Sequence, residues 1–321
     1  MRLLVTGSEG LVGRWFSDAL RAGGHDVVDY DILLGDDIRD LGALDHAMRG
    51  CEGVVHLAAI SRVMWGETHP RLCHEVNVGG TASLLAAVAR QRQAPWLLFA
   101  SSREVYGDPL FLPVMEGAAI RPVNHYGRSK VEGELLVEAA RATGLHCAIL
   151  RLSNVYGGLN DHPDRAVPSF LWRALAGEEL QVSGSDMVLD FVHVEDCVKG
   201  LMTAARMLSD GAASLPTVHL ASGVPTTLLD LAETAVDTAG SASTVKVADR
   251  RSYDVRGFVG DPSRALEVLG WRAGITLDAG LRRFRDDMIA LGRPLAAVPV
   301  PVDVPPGVAG ERRNVLSGAL D

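Results

Sequence analysis

The sequence predicts an α/β fold, a Rossmann-type doubly wound parallel sheet followed by a smaller C-terminal substrate-binding lobe. Short apolar runs alternate with amphipathic helical patterns through the first half of the chain. A glycine-rich turn joins the first run to the first helix, which is typical of dinucleotide-binding folds. The runs are apolar throughout, which indicates strands buried on both faces by covering helices.

Five candidate strands and three helices support this prediction. The strands are LLV at 3–5, DVVDYD at 26–31, GVVHLAA at 53–59, WLLFASS at 96–102 and HCAILRL at 146–152. In residues 11–20 apolar pairs recur every four residues, which places them on one face of a helix. The same kind of pattern predicts helices over 77–90 and 129–144.

The pattern loosens after residue 152, which indicates a second lobe. The remaining predicted elements are helices over 168–180, 227–240 and 277–291, with two short strands between 181 and 197. The predicted domains are a Rossmann domain of residues 1–165, to which 190–222 return, a substrate-binding lobe of 166–189 and 223–293, and a proline-rich tail of 294–321.

Composition excludes several classes of function. The 321-residue chain has a formal net charge of −9 and no dense basic run, which argues against a nucleic-acid or anionic-membrane surface. No apolar run approaches the roughly 20 residues of a membrane span, and the start MRLLV is too short for a signal peptide. Four cysteines without CxxC spacing indicate free thiols rather than disulfides or a metal site. We therefore expect a cytoplasmic protein without a bound metal.

A phosphate-binding loop is predicted at residues 6–13, TGSEGLVG, between the first strand and the first helix. Gly7 permits the tight turn, Gly10 lets the backbone approach a pyrophosphate, and Gly13 lets the helix pack on the sheet. The helix N-terminus offers free N–H groups and a partial positive charge to the phosphates. Strand, turn and helix agree with a dinucleotide site.

An acidic residue at the end of the second strand predicts the choice of dinucleotide. Asp31 follows Gly13 by 18 residues, and a carboxylate there can accept hydrogen bonds from both ribose hydroxyls. It would repel a 2′-phosphate, so NAD is favoured over NADP. Asp29 is the weaker candidate because it lies inside the strand. In the loop beyond, Asp37 and Ile38 are expected next to the adenine.

An acid–base device is predicted where residues 122–130 read PVNHYGRSK. Tyr126 and Lys130, four apart at the start of a helix, share one helix face. The strand before them ends in Ser102, at the sheet edge where open α/β folds bind ligands. Lys130 and an oxidised nicotinamide would both favour the phenolate; lowering the pKa of a phenol from about 10 to near 7 takes roughly 4 kcal/mol. Ser102 would hydrogen-bond the substrate oxygen.

From residue 1 to about 290 the chain resembles the extended short-chain dehydrogenase/reductases, in particular the NAD-dependent nucleotide-sugar epimerases and dehydratases. The blocks that carry the resemblance are TGSEGLVG, the Asp31 position, VVHLAA (54–59), NVGGT (77–81), SSREVYG (101–107), YGRSK (126–130), LRLSNVYG (150–157), DFVHVEDC (190–197) and DPSRALEVLGW (261–271). The resemblance implies an NAD-dependent enzyme on a nucleotide sugar, and we expect a homodimer.

The resemblance also implies roles for individual residues. It makes Ser102, Tyr126 and Lys130 catalytic. With the residues above, the expected cofactor contacts are Gly7, Gly10, Leu11, Val12, Gly13, Asp31, Asp37, Ile38, Leu57, Ala58, Ala59, Asn77, Tyr126 and Lys130. The expected substrate contacts are Ser61, Ser102, Asn154, Arg251 and Asp254, the last two resembling the family's arginine and acid that hold the diphosphate and ribose.

Three reactions remain open, and Glu104 decides between epimerisation and the other two. A 4-epimerase transfers a hydride to NAD and back to the other face of a keto-sugar, with Ser102, Tyr126 and Lys130 alone. A 4,6-dehydratase or uronic-acid decarboxylase resembles it but uses additional acid–base groups after the catalytic serine or threonine. Those positions hold Arg103 and Glu104. Without a second acid we expect an epimerase, and a dehydratase or decarboxylase using Glu104 is the alternative.

One departure from the family pattern concerns the nucleotide. Leu189 stands where the family usually carries an arginine just before the DFV block. A leucine removes a bidentate phosphate clamp. This leaves a more distant alternative open, an NAD-dependent alcohol dehydrogenase or reductase acting on a non-nucleotide substrate.

Overall fold

Twelve strands occur in the computed structural model, which describes residues 1–292; the predicted tail at 294–321 lies outside these residues. The strands are β1 (Arg2–Thr6), β2 (Asp26–Tyr30), β3 (Gly53–His56), β4 (Trp96–Ser102), β5 (Cys147–Leu152), β6 (Asn154–Tyr156), β7 (Leu180–Ser183), β8 (Val188–Leu189), β9 (Phe191–His193), β10 (Val218–Leu220), β11 (Thr226–Thr227) and β12 (Val245–Ala248).

Six of these strands form the central sheet, in the order β10-β5-β4-β3-β1-β2, and every pairing is parallel. The predicted fold class is confirmed. The chain runs outward from β1 to β2 and then returns to β3 on the other side of β1, so the strand order reverses between β1 and β3. Open α/β sheets bind ligands at such a reversal, beyond the carboxyl ends of the strands.

Eleven α-helices lie within the described residues. They are α1 (Leu11–Ala22), α2 (Leu41–Ala47), α3 (Val63–Thr68), α4 (Pro70–His74), α5 (Gly80–Arg90), α6 (His125–Ala142), α7 (Ala166–Leu175), α8 (Val194–Ser209), α9 (Leu228–Ala239), α10 (Ser263–Leu269) and α11 (Leu277–Leu291). A π-helical turn, Glu75–Gly79, joins α4 to α5, and a 3-10 turn, Arg103–Tyr106, follows β4. None of these helices is long and apolar enough to cross a membrane.

Both faces of the central sheet are covered, as the apolar strands require. Leu3 and Val5 of β1 point to one face, where they pack with α1, α8 and α10. Leu4 points to the other face, where it packs with α2, α5 and α6. All three side chains are fully buried. Successive residues of a strand face opposite sides, so an uninterrupted apolar run is what a two-sided core needs.

A second core lies under α7, α9 and α11, with β7, β8 and β9 packed against them. Phe170, Leu231 and Phe284 are among its buried side chains. Two short sheets, β7 with β12 and β8 with β11, belong to this region. β6 pairs with β9, so this lobe is tied to the end of β5. The limits between the Rossmann domain and the substrate-binding lobe, at residues 165, 189 and 222, stay a prediction.

The predicted elements all occur, β4 and α11 with the predicted ends and most others with shifted ends, and three strands, β7, β8 and β9, stand where two were predicted. The strand predicted over 53–59 ends at His56, because the chain then passes closely over the phosphate loop. A Cβ atom on Gly7 would lie only 2.6 Å from the Ala58 backbone nitrogen. Residues 57–59 therefore line the site as a loop instead of extending the strand.

Candidate active site

A cleft of about 770 Å³ lies at the carboxyl ends of β1, β3 and β4, between the sheet and the second lobe. All predicted site residues line it except Asn77. Asn77 is buried behind the wall: its Oδ1 accepts a hydrogen bond from Ile60 N at 2.8 Å, and its Nδ2 donates to Ser129 Oγ at 2.8 Å. Asn77 thus braces the cleft wall and does not line the cleft.

The glycines form a cradle that a larger residue would fill. Gly7 has a φ of +73°, which only glycine adopts at little cost. A Cβ atom on Gly13 would lie 2.0 Å from Gly7 O. The first bond of α1 runs from Arg14 N to Gly10 O, so the three N–H groups before Arg14 have no partner within the helix. These groups lie in the cleft wall and fit the diphosphate of a dinucleotide.

Asp31 is positioned by the phosphate loop itself. Its carboxylate accepts hydrogen bonds from Glu9 N at 3.0 Å and from Leu33 N at 2.9 Å. Burial raises the pKa of Asp31, and these two backbone donors oppose the rise. Each carboxylate oxygen keeps a lone pair for a further donor. Asp29, the weaker candidate, pairs with Arg21 and does not line the cleft.

The start of α6 places the tyrosine and the lysine. Asn124 caps this helix, with its Oδ1 accepting from Gly127 N at 2.7 Å, so α6 begins before the predicted residue 129. Tyr126 and Lys130 are buried one turn apart. The Lys130 ammonium donates to Ala100 O of β4 at 2.9 Å and lies 5.9 Å from the centre of the Tyr126 ring.

The predicted lowering of the phenol's pKa depends on Lys130 together with an oxidised nicotinamide, and it stays a prediction. Burial raises the pKa of Tyr126 above its usual value of about 10, a hydrogen bond from Ser102 lowers it, and the Glu104 charge raises it further. Burial also lowers the pKa of Lys130 to about 8. The ammonium bonds Ala100 O instead of the phenol, so the protein's own groups do not bring the phenol near neutrality.

Ser102 ends β4 with its hydroxyl hydrogen available. Its Oγ accepts from Glu104 N at 3.2 Å, so its O–H points towards the cleft, where it faces the Tyr126 phenol. The neighbouring Ser101 donates instead to the buried Glu134 carboxylate. Of the two serines, Ser102 is therefore the one that can reach a substrate oxygen.

Glu104 is buried, and both of its carboxylate oxygens are engaged. Oε1 lies 2.8 Å from Arg103 Nη2, and Oε2 accepts from Asn124 Nδ2 at 2.7 Å. A carboxylate held by an ion pair and an amide is a poor candidate for a free general base. The contact with Asn124 ties it to the cap of α6.

The cleft is lined by a further ion pair. Arg251 Nε and Asp254 Oδ2 lie 2.7 Å apart, and Arg251 is half-exposed. Asn154 donates to Asp190 O at 2.8 Å, which fixes the amide at the start of β6. Leu189 is buried in the same wall, so no guanidinium occupies that position.

Sequence reasoning missed the segment 158–165, which crosses the cleft. Asn160 Nδ2 donates to Gly10 O at 2.8 Å, which joins the segment to the phosphate loop. Asp164 pairs with Arg62 from the loop after β3, and Arg165 pairs with Asp161 at 2.8 Å. The charged run DHPDR was the one signal that could have revealed it.

The geometry supports oxidation of an alcohol at carbon. A phenol, a serine hydroxyl and a buried ammonium meet at one end of a cleft whose other end fits a dinucleotide. Such groups can exchange the hydroxyl proton of a substrate while its carbon loses a hydride to a nicotinamide.

The sequence and the fold of this chain both match known proteins. The model of the NAD dependent epimerase/dehydratase family matches residues 3–215. A UDP-glucose 4-epimerase of Dictyostelium discoideum is 28% identical over 314 residues, covering 85% of this chain and 91% of its own length.

Two solved structures share the fold over nearly their whole length. A UDP-glucose 4-epimerase of Thermotoga maritima, crystallised with UDP-glucose, superposes with a TM-score of 0.85 at 26% identity, covering 91% of this chain and 100% of its own. A dTDP-glucose 4,6-dehydratase of Streptomyces venezuelae, crystallised with NAD, gives 0.80 at 28% identity, covering 89% and 96%. An epimerase and a dehydratase thus resemble this chain almost equally, and the reaction must depend on individual residues of the cleft.

Proposed function

The chain belongs to the NAD dependent epimerase/dehydratase family, and we propose that within this family it is a UDP-sugar 4-epimerase. The predicted family, the enzymatic class and NAD as the cofactor are confirmed. The observation that carries the choice of epimerisation is the state of Glu104. Both of its oxygens are held, by Arg103 and by Asn124, where a dehydratase would need a free base.

The residues of the cradle fit NAD. The N–H groups at the start of α1 would hold the diphosphate, and Asp31 would accept the ribose hydroxyls. Bound NAD supplies a hydride acceptor that later returns the hydride. Lys130 lies on the same wall, where its ammonium can also reach a ribose hydroxyl.

The catalytic roles follow from the hydrogen bonds of the site. Tyr126 takes the proton of the sugar hydroxyl at the carbon to be oxidised and gives it back in the second half-reaction. Ser102 donates to the same oxygen, since its Oγ already accepts from Glu104 N. Lys130 stabilises the phenolate while the proton is on the substrate side. These three groups serve both directions, and no base for a carbon-bound proton is required.

A nucleotide sugar is the proposed substrate, with uridine as its nucleoside. The relatives named above are UDP-glucose 4-epimerases, and one was crystallised with UDP-glucose. In this chain Arg251, which lines the cleft, would meet the diphosphate, and Asp254 would meet the ribose.

Location and assembly are proposed on sequence grounds. All four cysteines are free and buried, which fits a reducing compartment, and we propose the cytoplasm. We also propose a homodimer. Light scattering coupled to gel filtration would test the dimer, and a single monomeric peak at micromolar concentration would contradict it.

Product analysis tests the proposed reaction. The purified protein with NAD is incubated with UDP-glucose, and the products are followed by proton NMR. We expect UDP-galactose to accumulate to an equilibrium mixture, with no free NADH. A product lighter by one water would instead assign the dehydratase. Loss of carbon dioxide from UDP-glucuronate would assign the decarboxylase, and NADH formed in step with substrate loss would assign a dehydrogenase.

A further inference from the structure

Arg103 has a buried donor for which the described residues supply no acceptor. Its side chain is only 11% exposed and lies in the cleft wall, directly after Ser102. Nη2 faces the Glu104 carboxylate at 2.8 Å, whereas Nη1 is buried without a hydrogen-bond partner among the described residues. A buried N–H group without an acceptor costs free energy. A ligand that supplies the missing acceptor would remove this cost.

The guanidinium is held in a fixed relation to the phenol. Glu104 Oε2 accepts from Asn124 Nδ2 at 2.7 Å, and Asn124, which is fully buried, caps α6 through Gly127 N. Tyr126 lies two residues after this cap. A chain of short contacts therefore runs from the helix that carries the phenol to the arginine. A donor fixed in advance loses little freedom when it binds a ligand.

We propose that Arg103 is a substrate-binding residue that determines specificity, with Nη1 donating to an oxygen substituent of the sugar and Glu104 positioning the guanidinium. This inference rests on the proposed function, which places the sugar beside Tyr126 and Ser102. It gives the Glu104 carboxylate a positioning role in the epimerase reaction instead of a role as base.

The charges of this wall indicate an uncharged sugar. Arg103 and Glu104 together have no net charge, and Arg165, which also lines the cleft, is likewise paired, with Asp161 at 2.8 Å. A sugar carboxylate would enter a wall whose arginines are already neutralised, and it would meet two acids there. A hydroxyl oxygen needs only a donor, which Nη1 supplies. The site therefore favours a neutral hexose over a uronic acid.

Binding measurements test the contact without relying on turnover. Affinities of the NAD-loaded protein for UDP and for UDP-glucose are measured by titration calorimetry on wild type, Arg103→Met and Arg103→Lys. Both variants should bind UDP-glucose about 10- to 100-fold more weakly relative to UDP, the loss of one hydrogen bond to a charged group. Arg103→Lys retains the ion pair with Glu104 but lacks the forked second donor, so it remains informative if Arg103→Met folds poorly.

Two further variants and one further ligand test the assignment. Glu104→Gln should produce a smaller loss in the same direction, because it loosens the guanidinium without removing it. Arg92→Met, on an exposed loop, is the matched control and should change neither affinity. Wild type should bind UDP-glucose more tightly than UDP-glucuronate.

The outcomes separate this inference from the proposed function. A wild type that binds neither UDP nor UDP-glucose would refute both. A wild type that binds both ligands, with an unchanged ratio in Arg103→Lys, would overturn the role of Arg103 alone. Equal losses for UDP and UDP-glucose would also overturn it, since they would indicate general damage to the cleft. Tighter binding of UDP-glucuronate than of UDP-glucose would overturn the preference for an uncharged sugar.

Discussion

Replacing Gly13 by alanine should damage the cofactor cradle. The added Cβ would lie 2.0 Å from Gly7 O, 2.8 Å from Gly7 C and 2.9 Å from Ser8 Cα, whereas real Cβ atoms essentially never approach closer than 3.0 Å. The clashing atoms all belong to the backbone, so the phosphate loop must move by roughly 1 Å to accommodate the methyl group. Such overpacking lowers the free energy of unfolding by about 1–3 kcal/mol. A loop displaced that far misaligns one or more N–H donors, and NAD should bind at least about tenfold more weakly.

The assay is titration calorimetry with NAD, together with thermal denaturation. Gly79→Ala is the matched control, because Gly79 has helical angles of φ −60° and ψ −43° and its Cβ would meet nothing within 4 Å. The control should bind NAD normally and be up to about 1 kcal/mol more stable. A Gly13→Ala protein with unchanged stability and NAD affinity would refute the reasoning about the cradle.

Three other predictions concern the site and the buried His56 of β3. Tyr126→Phe should lose about 10²–10⁴-fold in turnover while still binding NAD, whereas Lys130→Met should weaken both turnover and NAD binding. Near-normal turnover of Tyr126→Phe in a coupled assay would contradict the role of Tyr126 as acid and base. The carboxylate of Asp31 should make NAD bind at least about a hundredfold more tightly than NADP by calorimetry, and equal affinities would contradict its assignment. Burial and Lys130 lower the pKa of His56 from 6.5 to about 3, so the unfolded chain takes up this proton first and stability falls as the pH drops from 6.5 towards 3. The loss from His56 should be about 2 kcal/mol at pH 5, and His56→Gln should flatten the melting temperature between pH 7 and 5; an unchanged slope would count against it.

Local chemistry explains what the sequence could predict. The spacing of Gly7, Gly10 and Gly13 after an apolar run depends on backbone geometry within eight residues, and the four-residue spacing of Tyr126 and Lys130 depends on one helical turn. The sixth strand of the sheet, Val218–Leu220, has only three residues and leaves too short a pattern to recognise.

Long-range packing explains what the sequence could not predict. The partner of Glu104 is Asn124, 20 residues later, and nothing near either residue announces the contact. The Lys130 ammonium bonds Ala100 O because α6 packs on β4, and the burial that raises the pKa of Tyr126 likewise results from packing. Such contacts depend on how elements pack, which periodicity and spacing do not specify.

Hydrogen exchange at the sugar carbons tests the central claim most directly. The protein with NAD is incubated with UDP-glucose in deuterated water, and the sugar is examined by NMR and mass spectrometry. If the hydride leaves and returns at the same carbon and no base removes a carbon-bound proton, UDP-galactose should form without deuterium at any sugar carbon. Deuterium at the carbon next to the oxidised one, together with a product lighter by one water, would show that a base such as Glu104 acts on carbon and would contradict the epimerase account.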